Sequence, residues 1–424
     1  MDRQLGLASE HGCKPRFPPS DSGATLTETA QTLAQAALTA EQAWETHLSK
    51  PFTPVCLTLY PHNRCNLACP YCFSGAGAAW QKESLSLSAV RAAAQTVAGN
   101  CLLENQPMTV VFHGGGEPTL DLEWTAQALE IVESAASNLG VSLFKYIATN
   151  GVMPKRKAGW LAEHFDLIGL SCDGPEEIQS VQRPLPNGRS SSSFVERTAR
   201  IIRQNGKPLN VRATVTPAAF RRQAEIAHYL CREIQPQEIH VEPVYKGNGN
   251  LDDRFQPDDA DEFVEEFFKA RQVCRSYHIP WLTSGSRLNE LHGAYCQIQR
   301  SVLQMIPGDC AAACHLVCDE SHARQNGFLI GKFGQSGDSF QLDTDQVDRL
   351  RNKLSAVPAS CADCFNRFHC ARACPDHCAL TGDSPKGSFR CRVNSQIAER
   401  LLSERAVQPS GNEAWLLRVD RLCL

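Results

Sequence analysis

The sequence predicts an α/β fold in which a parallel sheet with crossover helices forms a full or partial barrel. Between about residues 54 and 245, six short apolar segments of strand-like composition alternate with segments of helical periodicity. This alternation is typical of a parallel sheet covered by helices. Glycine-rich or polar motifs follow several of the strands, at the edge where such folds place their active sites.

Apolar periodicity places the elements in chain order. Strands are expected over residues 55–60, 108–113, 142–149, 167–172, 209–216 and 238–245. Helices are expected over residues 24–48, 86–98, 122–139, 194–205, 223–234 and 253–279. Ser86 or Ser88 is expected to cap the second helix. Residues 1–23 are expected to be extended or disordered, and periodicity weakens after about residue 285, apart from a strand over 327–333.

Composition excludes several broad classes of protein. The chain has 424 residues, a formal net charge of −4 and no long basic run, so neither nucleic acid nor a membrane is an expected partner. The N-terminus lacks the apolar segment of a signal peptide, and no apolar run is long enough to span a bilayer. In the cytoplasmic protein that this predicts, 20 cysteines are expected to serve metal binding rather than disulfides.

Three cysteines, Cys65, Cys69 and Cys72, share one short loop with the spacing C-x3-C-x2-C. Close-set thiolates are typical of iron–sulfur ligation, and three of them leave one iron of a 4Fe–4S cluster free to bind a second molecule. A zinc site completed by His62 is the alternative on spacing alone. The loop follows the first predicted strand, so either metal would lie at the active edge of the sheet.

This loop resembles the signature of the radical SAM superfamily, in which three cysteines hold a 4Fe–4S cluster. The resemblance covers about residues 54–245 and implies a partial (β/α)6 barrel of the radical SAM type. It implies that the open iron chelates S-adenosylmethionine (SAM) and that an electron cleaves SAM to methionine and a 5′-deoxyadenosyl radical. Tyr71 matches the aromatic residue that typically lies near the adenine.

A glycine-rich segment follows the second predicted strand and resembles the GGEP segment of the same family. It comprises Gly115, Gly116, Glu117 and Pro118. Glycine permits close backbone approach, so exposed backbone groups together with the carboxylate could grip the ammonium of SAM. An ordinary strand-to-helix turn is the alternative for the segment taken alone.

Later strand ends supply further candidate SAM contacts. Asn150 and Ser171 lie in segments that resemble family motifs, and Ser171 is a candidate ribose contact. Arg183 and Arg212 are candidates for the methionine carboxylate, because a guanidinium can donate two parallel hydrogen bonds to a carboxylate. Either arginine could equally serve in an ion pair, and Asp173 could simply cap a turn.

A second run of cysteines lies near the C-terminus and has the spacing C-x2-C-x5-C-x3-C. It comprises Cys361, Cys364, Cys370 and Cys374, and Cys391 follows. A zinc-ribbon module is the alternative for this segment alone. Beside a radical SAM core the run resembles the SPASM extension, which binds two auxiliary 4Fe–4S clusters. The resemblance implies that Cys374 joins the proximal cluster, whereas the other four cysteines hold the distal one.

The remaining ligands of the proximal cluster are only partly defined by the resemblance. Cys296 and Cys314 fit the family pattern, although the second spacing is one residue longer than usual. Either Cys310 or Cys318 is expected to complete the set. If neither binds, one iron of this cluster stays open to substrate. Cys378 has no assigned role.

The resemblance divides the chain into four parts. These are a partly helical N-terminal extension (1–50), a radical SAM core (51–285), a SPASM domain (286–395) and a C-terminal tail (396–424). Each auxiliary cluster is a candidate electron acceptor for an oxidised substrate radical. Asp319 and His315 are alternative candidate bases, because each directly follows a candidate proximal ligand.

The family's SPASM members mostly modify peptides or proteins, so a peptide or protein substrate is expected. Residues 112–118 and the segment between Cys318 and Cys361 depart from the sulfatase-maturating pattern, which favours a maturase of ribosomal peptides that forms a C–C or thioether cross-link. An anaerobic sulfatase-maturating enzyme that forms formylglycine is the first alternative, and a non-enzymatic iron–sulfur or zinc protein is the second. A leader-peptide-binding protein and an electron donor such as flavodoxin or ferredoxin are candidate partners.

Overall fold

The structure is a computed structural model that describes residues 40–47, 49–75, 83–245, 254–288, 290–334, 339–380 and 384–407. Its strands are β1 (Cys56–Leu59), β2 (Met108–Phe112), β3 (Leu143–Thr149), β4 (Leu167–Ser171), β5 (Leu209–Val215), β6 (Ile239–Pro243), β7 (Trp281–Leu282), β8 (Val302–Ile306), β9 (Cys310–Ala312), β10 (Leu329–Phe333) and β11 (Phe340–Leu342). Its helices are α1 (Leu87–Glu104), α2 (Leu122–Asn138), α3 (Lys155–His164), α4 (Glu176–Gln182), α5 (Ser192–Gln204), α6 (Gln223–Tyr229), α7 (Ala260–Ser276), α8 (Glu320–Gln325), α9 (Thr344–Ser355) and α10 (Phe389–Val407). Residues 40–47 are also helical.

All the strands belong to one sheet with the order β11-β10-β9-β8-β1-β2-β3-β4-β5-β6-β7. From β1 to β7 the strands follow chain order and pair in parallel. Their carboxyl ends therefore meet at one edge, as the α/β prediction requires. The α/β core is confirmed, and the sheet is open because its outer strands are β7 and β11.

The six predicted strands of the core are present, each within one or two residues of its expected bounds. Ser86 is the cap of α1, because its hydroxyl accepts a hydrogen bond from Ala89 N at 3.1 Å. The expected helix over 223–234 ends as α6 at Tyr229 and continues as a π-turn over Leu230–Ile234. Two helices that periodicity missed, α3 and α4, complete the parallel crossovers.

Two predictions for the N-terminal extension fall largely outside the described part of the chain. The extended segment over 1–23 and most of the helix over 24–48 lie there. Residues 40–47 are helical within the range that the structure describes.

The cysteine-rich C-terminal region continues the same sheet. β8 pairs in parallel with β1, with Cys56 opposite Val302, and β9 to β11 extend it in antiparallel fashion. β10 corresponds to the strand expected over 327–333. Weak periodicity hid β8 and β9, because they are short and buried along their whole length. β1 therefore pairs with a strand of the N-terminal region on one side and with a strand of the C-terminal region on the other. No helix in the described ranges is both long and apolar enough to cross a membrane.

Candidate functional site

The loop that follows β1 gathers three partly buried thiols. Burial raises the pKa of Cys65 to about 11 and that of Cys69 to about 12. The negative charge of Cys72 adds to both shifts, which shows that the three thiols lie near one another. Such thiols need neighbouring cations to stay ionised, and the irons of a cluster would supply them.

Asn150 holds the first of these thiols from the end of β3. Its Nδ2 donates to Cys65 Sγ at 3.7 Å and to Asn66 Oδ1 at 2.8 Å, and its Oδ1 accepts from Val152 N at 2.8 Å. Residues that hydrogen-bond a ligand sulfur orient it and tune its metal. The structure thus places the side chain of Asn150 in contact with the cysteine loop.

The glycine-rich segment after β2 lies directly against the cysteine loop. A Cβ atom on Gly116 would stand 2.1 Å from Arg64 O, and Glu117 N donates to the same carbonyl at 2.8 Å. Ser74, beyond the last loop cysteine, donates to Gly115 O. Glycine is therefore required here by the close approach of two backbones, which an ordinary turn does not require.

Glu117 is buried, and its carboxylate is used within the protein. Oε1 accepts from Thr119 N at 3.1 Å, Thr119 Oγ1 at 2.7 Å and Thr149 Oγ1 at 2.8 Å, while Oε2 accepts from Asn150 N at 2.7 Å. Burial raises the pKa of Glu117, and these hydrogen bonds oppose that shift. The geometry therefore gives Glu117 the role of joining the end of β2 to the end of β3.

Tyr71, Asp173 and Arg183 form a buried group beside the loop. Tyr71 Oη donates to Asp173 Oδ2 at 2.6 Å, and Arg183 Nε makes an ion pair with the same oxygen at 3.0 Å. The Arg183 guanidinium also lies 5.6 Å from the centroid of the Tyr71 ring. Asp173 further accepts from Thr214 N at 2.8 Å, so it ties strands together and is not a simple turn cap. Arg183 is committed to this group.

Arg212 is exposed within β5, between buried neighbours, and its register partner in β4 is Ser171. Its positive charge helps to lower the pKa of His113 to about 4, after burial as the main cause. It contributes likewise to the pKa of His315, which burial, His113 and Arg212 lower to about 3. Arg212, His113 and His315 thus face one space. Sequence reasoning did not single out His113, although its position directly before the glycine segment was a usable signal.

The two candidate bases differ in their surroundings. Asp319 Oδ1 accepts from His322 N at 2.8 Å and so caps α8. His315 Nδ1 is buried without a hydrogen-bond partner in the described structure, and its ring meets the Tyr295 ring edge-on at 5.8 Å. Geometry therefore favours His315 as the group that is free to exchange a proton.

The C-terminal cysteines separate into two groups. In the first, Cys370 has a pKa raised to about 12 by burial, with Cys364 and Cys391 adding to the shift. Cys370 Sγ accepts from Arg372 N at 3.2 Å and Asn394 Nδ2 at 3.5 Å. The Arg372 guanidinium lies within electrostatic reach of Cys361 and Cys370. These contacts bring together the four cysteines expected at the distal cluster.

The second group lies around Cys296, whose backbone bridges that of Cys314. The pKa of Cys296 is raised by burial and then by the charges of Cys314, Cys374 and Cys378. Cys374 is thus placed away from its sequence neighbour Cys370 and beside the proximal group. Cys378, to which sequence reasoning gave no role, lies here as well.

The other two expected candidates for the proximal cluster lie elsewhere. Cys310 is in β9, where it donates to Gly308 O at 3.2 Å and has Glu320 and Lys332 as charged neighbours. Cys318 lies between the two sites: burial and then the charges of Cys72, Asp319 and Cys314 raise its pKa.

A site for a single metal ion differs from a cluster site in the spacing of its ligands. Among the ranges described, no three His, Cys, Asp or Glu side chains converge on a point suited to one metal ion. The thiolates of a 4Fe–4S cluster surround four irons, so they stand farther apart than the ligands of one zinc ion.

Residues 59–230 match the model of the radical SAM superfamily. Residues 59–230 thus carry a radical SAM domain. Proteins of that superfamily use a 4Fe–4S cluster and SAM.

Curated relatives and solved structures agree with this domain. The cysteine-type anaerobic sulfatase-maturating enzyme of Clostridium perfringens is 26% identical over 229 residues, which cover 51% of this chain and 60% of that protein. The match thus spans less than two thirds of the relative's length. A structure of anSMEcpe with AdoMet and the Cp18Cys peptide has a TM-score of 0.64 at 20% identity, covering 84% of this chain and 98% of that chain.

A second solved structure, SuiB of Streptococcus suis bound to S-adenosylmethionine, has a TM-score of 0.52 at 16% identity. It covers 86% of this chain and 82% of that chain. Both likenesses show the fold, an α/β core joined to a C-terminal cysteine-rich region. The fold class inferred from the sequence is confirmed, and the match over residues 59–230 agrees with the radical SAM resemblance.

Proposed function

We propose that this enzyme is a peptide maturase that uses a SAM-derived radical to form a cross-link, such as a C–C or thioether bond, in a peptide or protein substrate. One observation carries the proposal: the radical SAM cysteine loop follows β1, which pairs with β8, and the bridged pair Cys296 and Cys314 lies on either side of β8 and β9 in the chain. This arrangement supports a radical reaction that is coupled to electron removal.

When bound, the reduced cluster and SAM supply a 5′-deoxyadenosyl radical that takes a hydrogen atom from the substrate. Cys65, Cys69 and Cys72 hold the cluster, and Asn150 orients the Cys65 sulfur. The backbone of the glycine segment, with Pro118 fixing its exit, receives the ammonium of SAM. The buried Glu117 keeps that segment in place through its four hydrogen bonds.

The remaining SAM contacts follow from the same edge of the sheet. Arg212 is the candidate for the methionine carboxylate, because Arg183 is already paired with Asp173. Ser171, opposite Arg212, is the candidate for the ribose. Tyr71, pinned by its hydrogen bond to Asp173, forms the wall beside the adenine.

Proton and electron leave the substrate by separate routes. His315, neutral and free at Nδ1, is the candidate proton acceptor. The distal and proximal cysteine groups would hold the auxiliary clusters, which would supply an electron acceptor when bound. Reduced flavodoxin or ferredoxin is the candidate donor for the radical SAM cluster, and a leader-peptide-binding protein is a candidate partner.

Anaerobic reconstitution followed by iron counting and a 5′-deoxyadenosine assay tests the proposal. We expect about 12 irons per chain, which corresponds to three 4Fe–4S clusters, and cleavage of SAM under reducing conditions. Cys72→Ala should abolish cleavage but keep the auxiliary irons. A fully loaded wild-type protein that does not cleave SAM would contradict the proposal.

Formylglycine formation is a second candidate, favoured by the likeness to the sulfatase-maturating enzyme of C. perfringens. Two sulfatase-derived peptides, one with Cys and one with Ser at the target position, separate the candidates by mass spectrometry. Conversion of either to an aldehyde that reacts with a hydrazine would establish the maturase of sulfatases. A non-enzymatic protein would leave SAM and both peptides unchanged.

A further inference from the structure

We infer that Cys378 is the fourth thiolate of the proximal auxiliary cluster, which is then held by Cys296, Cys314, Cys374 and Cys378 and exposes no open iron. The inference rests on the proposed function only in taking the C-terminal cysteines to hold 4Fe–4S clusters. It replaces the expectation that Cys310 or Cys318 completes this set.

The local backbone brings Cys378 to the proximal group. Cys374 N donates to Ala371 O at 3.0 Å and His377 N donates to Ala373 O at 3.2 Å, which folds this segment into two consecutive tight turns. The segment is not helical, because Arg372 and Ala373 have φ angles of 55° and 60°. The second turn brings the chain back beside Cys374, and Cys378, which directly follows it, is a charged neighbour of Cys374.

The opposite side of the group is fixed by backbone pairing. Cys296 and Cys314 form an antiparallel bridge, and Gln297 N donates to Ala313 O at 2.8 Å. This bridge presents two thiols toward the Cys374 turn. Main-chain hydrogen bonds therefore position both pairs.

The effects of these cysteines on one another's pKa are consistent with a single group of four thiols. Cys374 has a pKa raised to about 12 by burial, with Cys314 and Cys378 adding to it. Cys314 has a pKa raised to about 11 by burial, with a further contribution from Cys378. Cys296 is affected by all three partners. Four gathered thiolates match the ligand number of a complete 4Fe–4S cluster.

The rival thiols have other surroundings. Cys310 is fixed in β9, where its backbone pairs with Ile306 and Lys332, and its thiol donates to Gly308 O. The thiol of Cys318 donates to Leu316 O at 3.6 Å, and its backbone carbonyl accepts from Asn63 Nδ2 at 2.9 Å. Cys310 therefore has no cysteine among its charged neighbours, whereas Cys318 has Cys72 and, of the proximal group, Cys314 alone.

Four protein thiolates change what the proximal cluster can do. With no open iron, a substrate sulfur or nitrogen cannot bind it directly, so the substrate radical is oxidised without ligation. A cluster held by Cys296, Cys314, Cys374 and Cys378 would supply a one-electron acceptor. The substrate radical would lose one electron to it and one proton to a base, so that charge balances.

The test uses the full chain in a Cys65→Ala, Cys69→Ala, Cys72→Ala background, which lacks the radical SAM cluster. After anaerobic reconstitution this parent should hold about eight irons, two 4Fe–4S clusters, with two reduced EPR signals. Adding Cys378→Ala should have one of two effects. Either the protein loses about four irons and one signal, or it keeps about eight irons and its proximal signal is altered and responds to added imidazole. Cys378→Ser should retain more iron than Cys378→Ala.

Cys310→Ala and Cys318→Ala, made in the same background, are the matched controls and should keep both signals. The persisting distal signal reports that each variant has folded. An unchanged iron content and spectrum in Cys378→Ala would overturn the inference, as would loss of the proximal signal in Cys310→Ala or Cys318→Ala. A parent that holds no cluster would instead overturn the proposed function.

Discussion

Cys318 fills the space that a side chain on Gly115 would need. A Cβ atom on Gly115 would stand 2.8 Å from Cys318 Sγ and 2.4 Å from Asn63 Oδ1. Asn63 in turn donates to Cys318 O at 2.9 Å, so the C-terminal region forms one wall of the radical SAM site. The glycine segment is thus confined from two sides, by the cysteine loop and by residues from far along the chain.

Gly115→Ala should therefore lower SAM cleavage strongly, because the added methyl group must push the glycine segment away from Cys318. We expect a fall of about tenfold or more in 5′-deoxyadenosine formation, equivalent to about 1.4 kcal/mol in the barrier. Gly99→Ala in α1 is the matched control, since nothing lies within 4 Å of its Cβ position. That control should be stabilised by about 0.5–1 kcal/mol. Equal activity of the two variants would contradict the packing argument.

Glu117→Gln should destabilise the fold by about 1–3 kcal/mol. The substitution replaces one carboxylate oxygen, which accepts hydrogen bonds, by an NH2 group, which faces a buried N–H donor. Either orientation of the new amide sets its NH2 group against the backbone N–H of Thr119 or of Asn150. Thermal unfolding of the reconstituted protein measures the effect. Glu130→Gln on the exposed face of α2 should leave the melting temperature unchanged. A melting temperature of Glu117→Gln equal to that of the wild type would refute the assignment.

Asn150→Ala should weaken the radical SAM cluster by removing the hydrogen bond to Cys65 Sγ. Hydrogen bonds to cluster sulfurs raise reduction potentials, so the midpoint potential of this cluster should become more negative. Redox titration followed by EPR measures the shift. Asn138→Ala, at an exposed position in α2, serves as the control. A potential that does not move would show that Asn150 acts only on the fold.

The distal cluster should respond to Arg372, whose buried guanidinium is close to Cys361 and Cys370. The Trp44 ring covers this cation at 4.9 Å from its centroid. Because a nearby positive charge stabilises the more negative, reduced state, Arg372→Gln should shift the distal potential to more negative values. Trp44→Ala should admit water and speed loss of the distal cluster in air. Arg349→Gln, exposed in α9, should change neither quantity.

The two candidate bases can be separated by near-isosteric variants. Asp319→Asn retains a side chain that caps α8, so product formation should be nearly unchanged. His315→Gln removes the imidazole and should allow SAM cleavage while lowering the yield of modified peptide. The ratio of 5′-deoxyadenosine to peptide product distinguishes the two steps. The reverse pattern would assign the proton to Asp319.

Local sequence signals predicted the core well because each motif combined spacing with a strand end. Asn150 lies at the end of β3 and donates to Cys65 Sγ, as a motif at a strand end should. What spacing could not show was long-range packing: Cys318 is near other cysteines in sequence, and its carbonyl accepts from Asn63, far away in the chain. Cys378 illustrates the same point, since its charged neighbour Cys296 is distant in sequence. Likewise, the carboxylate of Glu117 is satisfied by Thr149 and Asn150, contacts that only the fold creates.

The pairing of β1 with β8 also has a consequence for biosynthesis. As the ribosome releases the chain, β1 emerges early, but the partner that covers its second edge includes Val302 and emerges much later. Contacts so distant along the chain form late and slow folding. The cysteine loop after β1 thus lacks its Cys318 wall until most of the protein has been made. We therefore expect the radical SAM cluster to be inserted after translation, and chains truncated before β8 to lose their iron on purification.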